Sequence, residues 1–179
     1  AAKSAGDIIL KVINAKRNDA QGENSVDFEA DGSIIVSDEL NADESKINFA
    51  ADEDISLGDV NAENSDIDFA AGENVTTEDV EAENSDVDVA AGENVTAGNV
   101  TAEDGTMDVT AGGDVTSGNV TVDNNPLNVT ADGSVTAENV TAADSKVAVE
   151  AGEDVTTKDV TLDNSELEVE AGENVTTED

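Results

Sequence analysis

A buried-type residue returns at a nearly constant interval of twenty along this chain: Ile34, Ile55, Val75, Val95, Val115, Val135, Val155, Val175. From Ile55 onward the step never changes. A second row runs from Val60 to Val160. A third runs Ile47, Ile67, Val87, Met107, Leu127, Val147, Leu167, shadowed two residues later by Phe49, Phe69 and then valine. Self-similarity at a fixed short period is the signature of a solenoid, in which each repeat buries its apolar face only against its neighbours. High acidity with few aromatics often marks disorder, but a disordered chain has no need of a register.

The unit beginning at Ile67 shows what the repeat folds into. Apolar or small residues fall at 67, 69 and 71, then 75 and 77, then 80 and 82. Spacing of two puts alternate side chains on one face of a strand. Turn-forming residues separate the clusters: Gly72-Glu73-Asn74, Glu78-Asp79, and Glu83-Asn84-Ser85-Asp86. Valine, threonine and recurring glycine disfavour a helical repeat. The expectation is an all-β parallel β-helix, a β-solenoid of triangular coils of about twenty residues, with three short strands per coil. Coils would stack about 4.8 Å apart. Asn64, Asn84, Asp104, Asn124, Asp144 and Asn164 fall at one turn, where Asn and Asp tolerate left-handed backbone angles.

Residues 1–54 read as irregular opening coils and 55–179 as regular repeats of one continuous domain. Ile8, Leu10, Ile13 and Ala15 match Ile55, Leu57, Val60 and Ala62. The stretch 16–25 is longer than its equivalents and predicts a protruding basic loop. One extra residue between Ile34 and Leu40 predicts a bulge. The chain stops in mid-repeat at Asp179, which suggests a piece of a longer repetitive protein, or a unit that polymerises by its ends.

Composition removes several functions. Net charge is −37, from 44 acidic and 7 basic residues, which argues against nucleic acid and against anionic membranes as partners. There is no Cys and no His, hence no thiolate nucleophile and no imidazole base or ligand. Carboxylate pairs could serve a glycosidase, but the regular repeats offer no break from which to build a cleft, and Tyr and Trp are absent. An enzyme is not expected.

The phrases Ala-Gly-Glu-Asn-Val-Thr (71–76, 91–96, 171–176), Ala-Gly-Gly-Asp-Val-Thr-Ser-Gly-Asn-Val-Thr (111–121) and Ala-Asp-Gly-Ser-Val-Thr (131–136) resemble the repeats of filamentous haemagglutinin-type proteins. The likeness covers nearly the whole chain from Gly6. It implies a right-handed coil and the shaft of a long secreted bacterial adhesin or exoprotein. Such shafts belong to two-partner secretion systems and hold a binding or toxic tip away from the cell.

Stacked coils turn the acidic residues into columns. Asp68, Asp88 and Asp108 are expected to point outward on one wall, with Glu63, Glu83, Glu103 and Asp123 on another. Two like charges at about 4.8 Å cost on the order of 1 kcal/mol even in bulk water. High salt would relieve this, or a hard cation such as Ca²⁺ bridging Asp68, Asp88 and Asp108, although no EF-hand or calcium nonapeptide pattern is present. No other cofactor is expected.

The Asn-x-Thr triplets at Asn74, Asn94, Asn99, Asn119, Asn128, Asn139 and Asn174 match a glycosylation sequon. The plainer reading is that Asn before a buried Val and an outward Thr is what the coil repeats. The outward threonines form single ranks, because Thr77, Ala97, Ser117 and Ala137 are predicted to face inward.

Charge is also uneven along the rod. Lys3, Lys11, Lys16 and Arg17 against Asp7 and Asp19 give residues 1–20 a net +2, leaving −39 on the rest. A basic start and an acidic finish (Glu173, Glu178, Asp179), both with open strand edges, could stack head to tail into a filament. The leading expectation is a secreted or cell-surface, non-enzymatic shaft, with the rest of a longer chain or a second copy of itself as partner. A self-assembling extracellular filament and a Ca²⁺-binding acidic module are the alternatives.

Overall fold

The period of twenty is a hydrogen-bonding period. The computed structural model describes residues 1–16 and 24–177, and these form a parallel β-solenoid of about eight turns with no helix. Among the described residues the strands make two parallel sheets, of nine and twelve strands. In the nine-stranded sheet Val87 pairs with Ile67 on one side and Met107 on the other. In the twelve-stranded sheet Val95 pairs with Val75 and Val115. Each residue therefore lies beside its own equivalent one coil away.

The twelve-stranded sheet is folded along its length. At Val75-Thr76-Thr77-Glu78-Asp79-Val80 the side chains alternate buried, exposed, buried and then show two exposed in succession before Val80 is buried again. That change of phase is a corner, and it gives the coil a third wall. Three separate strands per coil were expected; they occur between Asp66 and Asp123, where strands such as Val75–Thr76 and Val80–Glu83 are distinct. Elsewhere one strand runs through the corner, as in Ile8–Lys16, Ile55–Glu63, Val135–Ala143 and Val155–Asp163. A parallel ladder can bend without breaking, so the corner is visible in burial rather than in strand boundaries.

The core is one side chain deep from each wall. Ile34, Leu40, Ile55 and Val60 are fully buried, with Ala62, Ala82 and Ala102 at a corner. Phe28, Phe49 and Phe69 stack in one column, with ring centroids 5.3 and 5.4 Å apart. Thr77 and Thr157 are buried, and Ala97, Ser117 and Ala137 are half-buried, so that rank does face in.

The opening coils follow the expected alignment: Ile8, Leu10, Ile13 and Ala15 pair with Ile34, Val36, Leu40 and Ala42. The bulge is present, since the register shifts between Val36 and Glu39. A Cβ on Gly58 would lie 1.8 Å from the Asp38 carbonyl oxygen in the bulge, so only glycine fits there. Of the loop expected at 16–25, Lys16 ends one strand and Asn24 and Ser25 begin the next; residues 17–23 lie outside the described part.

Three side-chain ladders run along the axis at the turns. In the first, each side-chain oxygen accepts from the backbone N–H one coil on. Asn74 N–H donates to Asp54 Oδ1 (3.1 Å), Asn94 to Asn74 (3.1 Å), Asp114 to Asn94 (2.8 Å), Ser134 to Asp114 (2.8 Å) and Asn174 to Asp154 (3.0 Å). A second, beginning at Asp59, takes in Asp79, Asn99 and Asn119 in the same sense. In the third the sense is reversed. Ser45 N–H donates to Ser65 Oγ (3.1 Å) and Ser65 to Ser85 (3.0 Å), while each hydroxyl donates to the carbonyl two residues back. Next to this serine rank the backbone is left-handed at Glu44, Asn64, Asn84, Asp104, Asn124, Asp144 and Asn164, with φ between 46° and 53°. These ladders satisfy N–H groups that the sheets leave unpaired at the corners.

Substituting Asn94 by Ala strands Asp114 N–H and removes one of the two donors to Asn74 Oδ1, whose bond from the residue 94 N–H remains. A cost of about 1–3 kcal/mol follows, read as a fall in Tm of several degrees. Thr96→Ala, an exposed change in the same coil, should stay within about 0.5 kcal/mol of the parent. Paired thermal melts check both.

Candidate functional site

The outer face of the nine-stranded sheet carries the aspartate column. Strands Asp66–Ala71, Asp86–Ala91 and Thr106–Ala111 lie in register, so Asp68, Asp88 and Asp108 align between inward-facing neighbours. The full column reads Asp27, Asn48, Asp68, Asp88, Asp108, Asn128, Ala148, Glu168. Donors punctuate it. Asn48 Nδ2 donates to Asp27 Oδ1 (2.5 Å), Lys46 Nζ lies 3.2 Å from Asp68, and Asn128 Nδ2 donates to Asp108 Oδ1 (2.6 Å).

Asp88 sits between two carboxylates. Partial desolvation, then the charges of Asp68 and Asp108, push its carboxyl above the ordinary aspartate range. Asp27 goes the other way, because the Asn48 amide and the Ser25 hydroxyl donate to its charged form.

The three aspartates are thus brought together as a line, not a cage. Among the described residues no group of three or more Asp, Glu, His or Cys side chains is arranged to hold a metal ion. Calcium needs six to eight oxygens around one point, and a column supplies them in succession along an axis. The second carboxylate column is also in register, with Glu63, Glu83, Glu103 and Asp123 exposed on the wall past the corner. In the opening coils the rank beside it is a chain of amides: Asn61 Nδ2 donates to Asn41 (3.0 Å) and Asn41 Nδ2 to Asn14 (3.0 Å).

The basic residues of the first coil are engaged within the chain. Lys3 pairs with Glu29, Lys11 with Asp38 (3.1 Å) and Lys16 with Asp43 (2.7 Å), each one coil further along. Glu29 and Asp43 raise the pKa of Lys3 and Lys16. Of the other residues expected to meet head to tail, Glu173 is exposed in the last described turn, while Arg17, Glu178 and Asp179 lie outside the described residues. Val175 and Leu162 are exposed at that end, 54% and 42%.

Two features escaped the sequence reading. One is the ladder role of the sequon asparagines: Asn74, Asn94, Asn99, Asn119 and Asn174 hold the next or preceding coil through their side chains. The signal was Asp, Asn and Ser substituting for one another in a single column, as side-chain acceptors do. The other is an apolar outward pair in the first coil, Ile9 and Val12, exposed by 69% and 40%. Ile9 stands where coils from the third onward carry Ser or Thr.

Compared with protein-family models, curated proteins and solved structures, the chain matches none of them significantly. The parallel β-solenoid itself is compatible with a β-helix repeat protein.

The column has a definite pH signature. The raised Asp88 carboxyl binds a proton more readily folded than unfolded, so its penalty is present at neutral pH. That penalty is relieved as pH falls through the raised value toward the ordinary one of 3.8. Asp88→Asn should raise Tm at neutral pH by about 2–4 °C, since one like-charge contact is worth on the order of 1 kcal/mol. The gain should shrink as pH falls toward 4. Melts of both proteins from pH 7 to pH 4 check the sign.

Salt separates screening from a built cation site. With the carboxylates in lines, CaCl₂ and NaCl at matched ionic strength should raise Tm equally. A calcium shift larger by several degrees, lost in Asp88→Asn, would instead make the column a cation site.

Proposed function

We propose that this chain is a stiff structural spacer: a stretch of shaft in a secreted or cell-surface, adhesin-like bacterial protein, extracellular and without enzymatic activity. The observation that supports the reading best is the uninterrupted register. From Ile55 to Thr177 both sheets advance by one coil per twenty residues with no inserted loop.

An enzyme built on a solenoid needs a concave cleft with a few precisely placed, unlike polar groups. Here like positions carry like residues, and what varies least is what holds coils together. The resemblance of the Ala-Gly-Glu-Asn-Val-Thr phrases to filamentous haemagglutinin-type repeats supports the surface location, and the acidic walls keep neighbouring rods apart in solution.

Such a spacer is modular by whole coils. Deleting residues 75–114 joins Asn74 to Val115 and removes two periods. The shortened chain should fold with unchanged cooperativity and measure about 10 Å less along its axis by small-angle scattering. On unpermeabilised source cells, antibody against the rod should label the surface or the culture fluid. A chain confined to the cell interior, or a deletion that abolishes folding, would overturn the reading.

A further inference from the structure

The outer column that begins at Ile9 reads Ile9, Ile35, Ser56, Thr76, Thr96, Thr116, Thr136, Thr156, Thr176. Seven hydroxyl residues follow two isoleucines. The column through Val12 reads Val12, Glu39, Asp59, then Asp79 and Asn99 in later coils. Among the described residues, only in the first coil do outward positions of this sheet carry large apolar side chains at high exposure, 69% for Ile9 and 40% for Val12; Leu162 and Val175 belong to inward columns. Ile35 beside Ile9 is half-buried. The patch lies in the one part of the chain that is not net negative, since residues 1–20 carry +2.

One charge pair beside the patch, Lys11 with Asp38, is self-complementary. The strand Ile8–Lys16 presents Ile9, Lys11 and Val12; its neighbour Ile34–Asp43 presents Ile35, Asp38 and Glu39. Consider a twofold axis parallel to the strands and midway between these two. It lays each strand over the other strand of a second copy without shifting positions along it. Ile9 then faces the second copy's Ile35, Lys11 faces its Asp38, and Val12 faces its Glu39. A twofold contact needs this reciprocity, in which residue i meets j and j meets i.

Lys11 and Asp38 already pair within the chain at 3.1 Å, but their side chains remain 79% and 43% exposed, which leaves room for a second partner. The same operation turns the rods to point in opposite directions. The acidic walls of the two shafts then diverge instead of facing each other.

We infer that the outer face of the first two coils is a homotypic docking surface, through which two copies join with their shafts pointing apart. The inference does not rest on the spacer reading, since it concerns a side wall and not the role of the shaft. The contact is small and convex at the corner, so the dimer is weak and reversible.

Sedimentation equilibrium of the full chain, from micromolar to millimolar at moderate salt, should show a monomer–dimer equilibrium. Ile9→Thr, which installs the residue that later coils carry at this position, should weaken it about tenfold or more with an unchanged melt. Lys11→Glu should weaken it further, and Lys11→Glu with Asp38→Lys should restore it. A spin label at Thr176→Cys reports orientation. Eight coil steps separate Ile9 from Thr176, so opposed shafts place the two labels about 70 Å apart. A chain monomeric throughout, a dimer indifferent to Ile9→Thr, or a short label distance would each overturn the proposal.

Discussion

Everything in this molecule follows from stacking each residue on its own equivalent at the separation of two parallel strands. The hydrogen bonds that set this distance run along the axis and do not depend on side-chain type. What the side chains decide is whether repetition of one residue is tolerable. Valine on valine is, because branched side chains nest on a pleated surface. Asparagine on asparagine is better than tolerable: an amide donates and accepts, so Asn94 Nδ2 donates to Asn74 Oδ1 while Asn94 Oδ1 accepts from the next coil. Aspartate on aspartate is the unfavourable case, since an ionised carboxylate has no proton to give.

The sequence manages that case by interruption. Asn48 and Asn128 bracket the aspartate column, and Lys46 sits diagonally over Asp68. Lys146 reaches Glu168 at 3.1 Å and Lys158 reaches Glu138 at 3.1 Å. With so few cations in the chain, each lysine among the described residues is placed about one coil from a carboxylate it can neutralise in part. Only at Asp88 does the run of three go without a donor among the described residues, and that is where the proton affinity rises.

Much of this was legible before any coordinates, and the reason is the period. A fixed interval of twenty reports register directly, so the pairing of Ile8, Leu10, Ile13 and Ala15 with the next coil and the bulge before Leu40 could be placed by alignment alone. Left-handed turns at Asn64 through Asn164 followed from residue type. Other features were hidden because they depend on geometry within a coil. The serine ladder at Ser45, Ser65 and Ser85 looks like ordinary turn composition until the N–H of one coil is seen to meet the hydroxyl of the next. The strand that runs through the corner could not be told from two strands, since both give the same change in burial phase. Ile9 was passed over because Ile8 and Leu10 on either side account for the inward pattern.

The coils are also unequal along the rod, and this bears on how the ends differ. One inward column goes Phe28, Phe49, Phe69 and then Val89, Val109, Val129, Val149, Val169. Another goes Leu10, Val36, Leu57 and, in later coils, Thr157 and Thr177. Both lose volume in the same direction, and Val89, Val109 and Val149 are only half-buried, while the column through Ala102 gains Val122 and Leu162. In a stack where each coil touches only its neighbours, local stability follows local burial. The opening coils combine the phenylalanine column with the bulge and the outward isoleucines. Later coils rely on the Asx and serine ladders and on repetition.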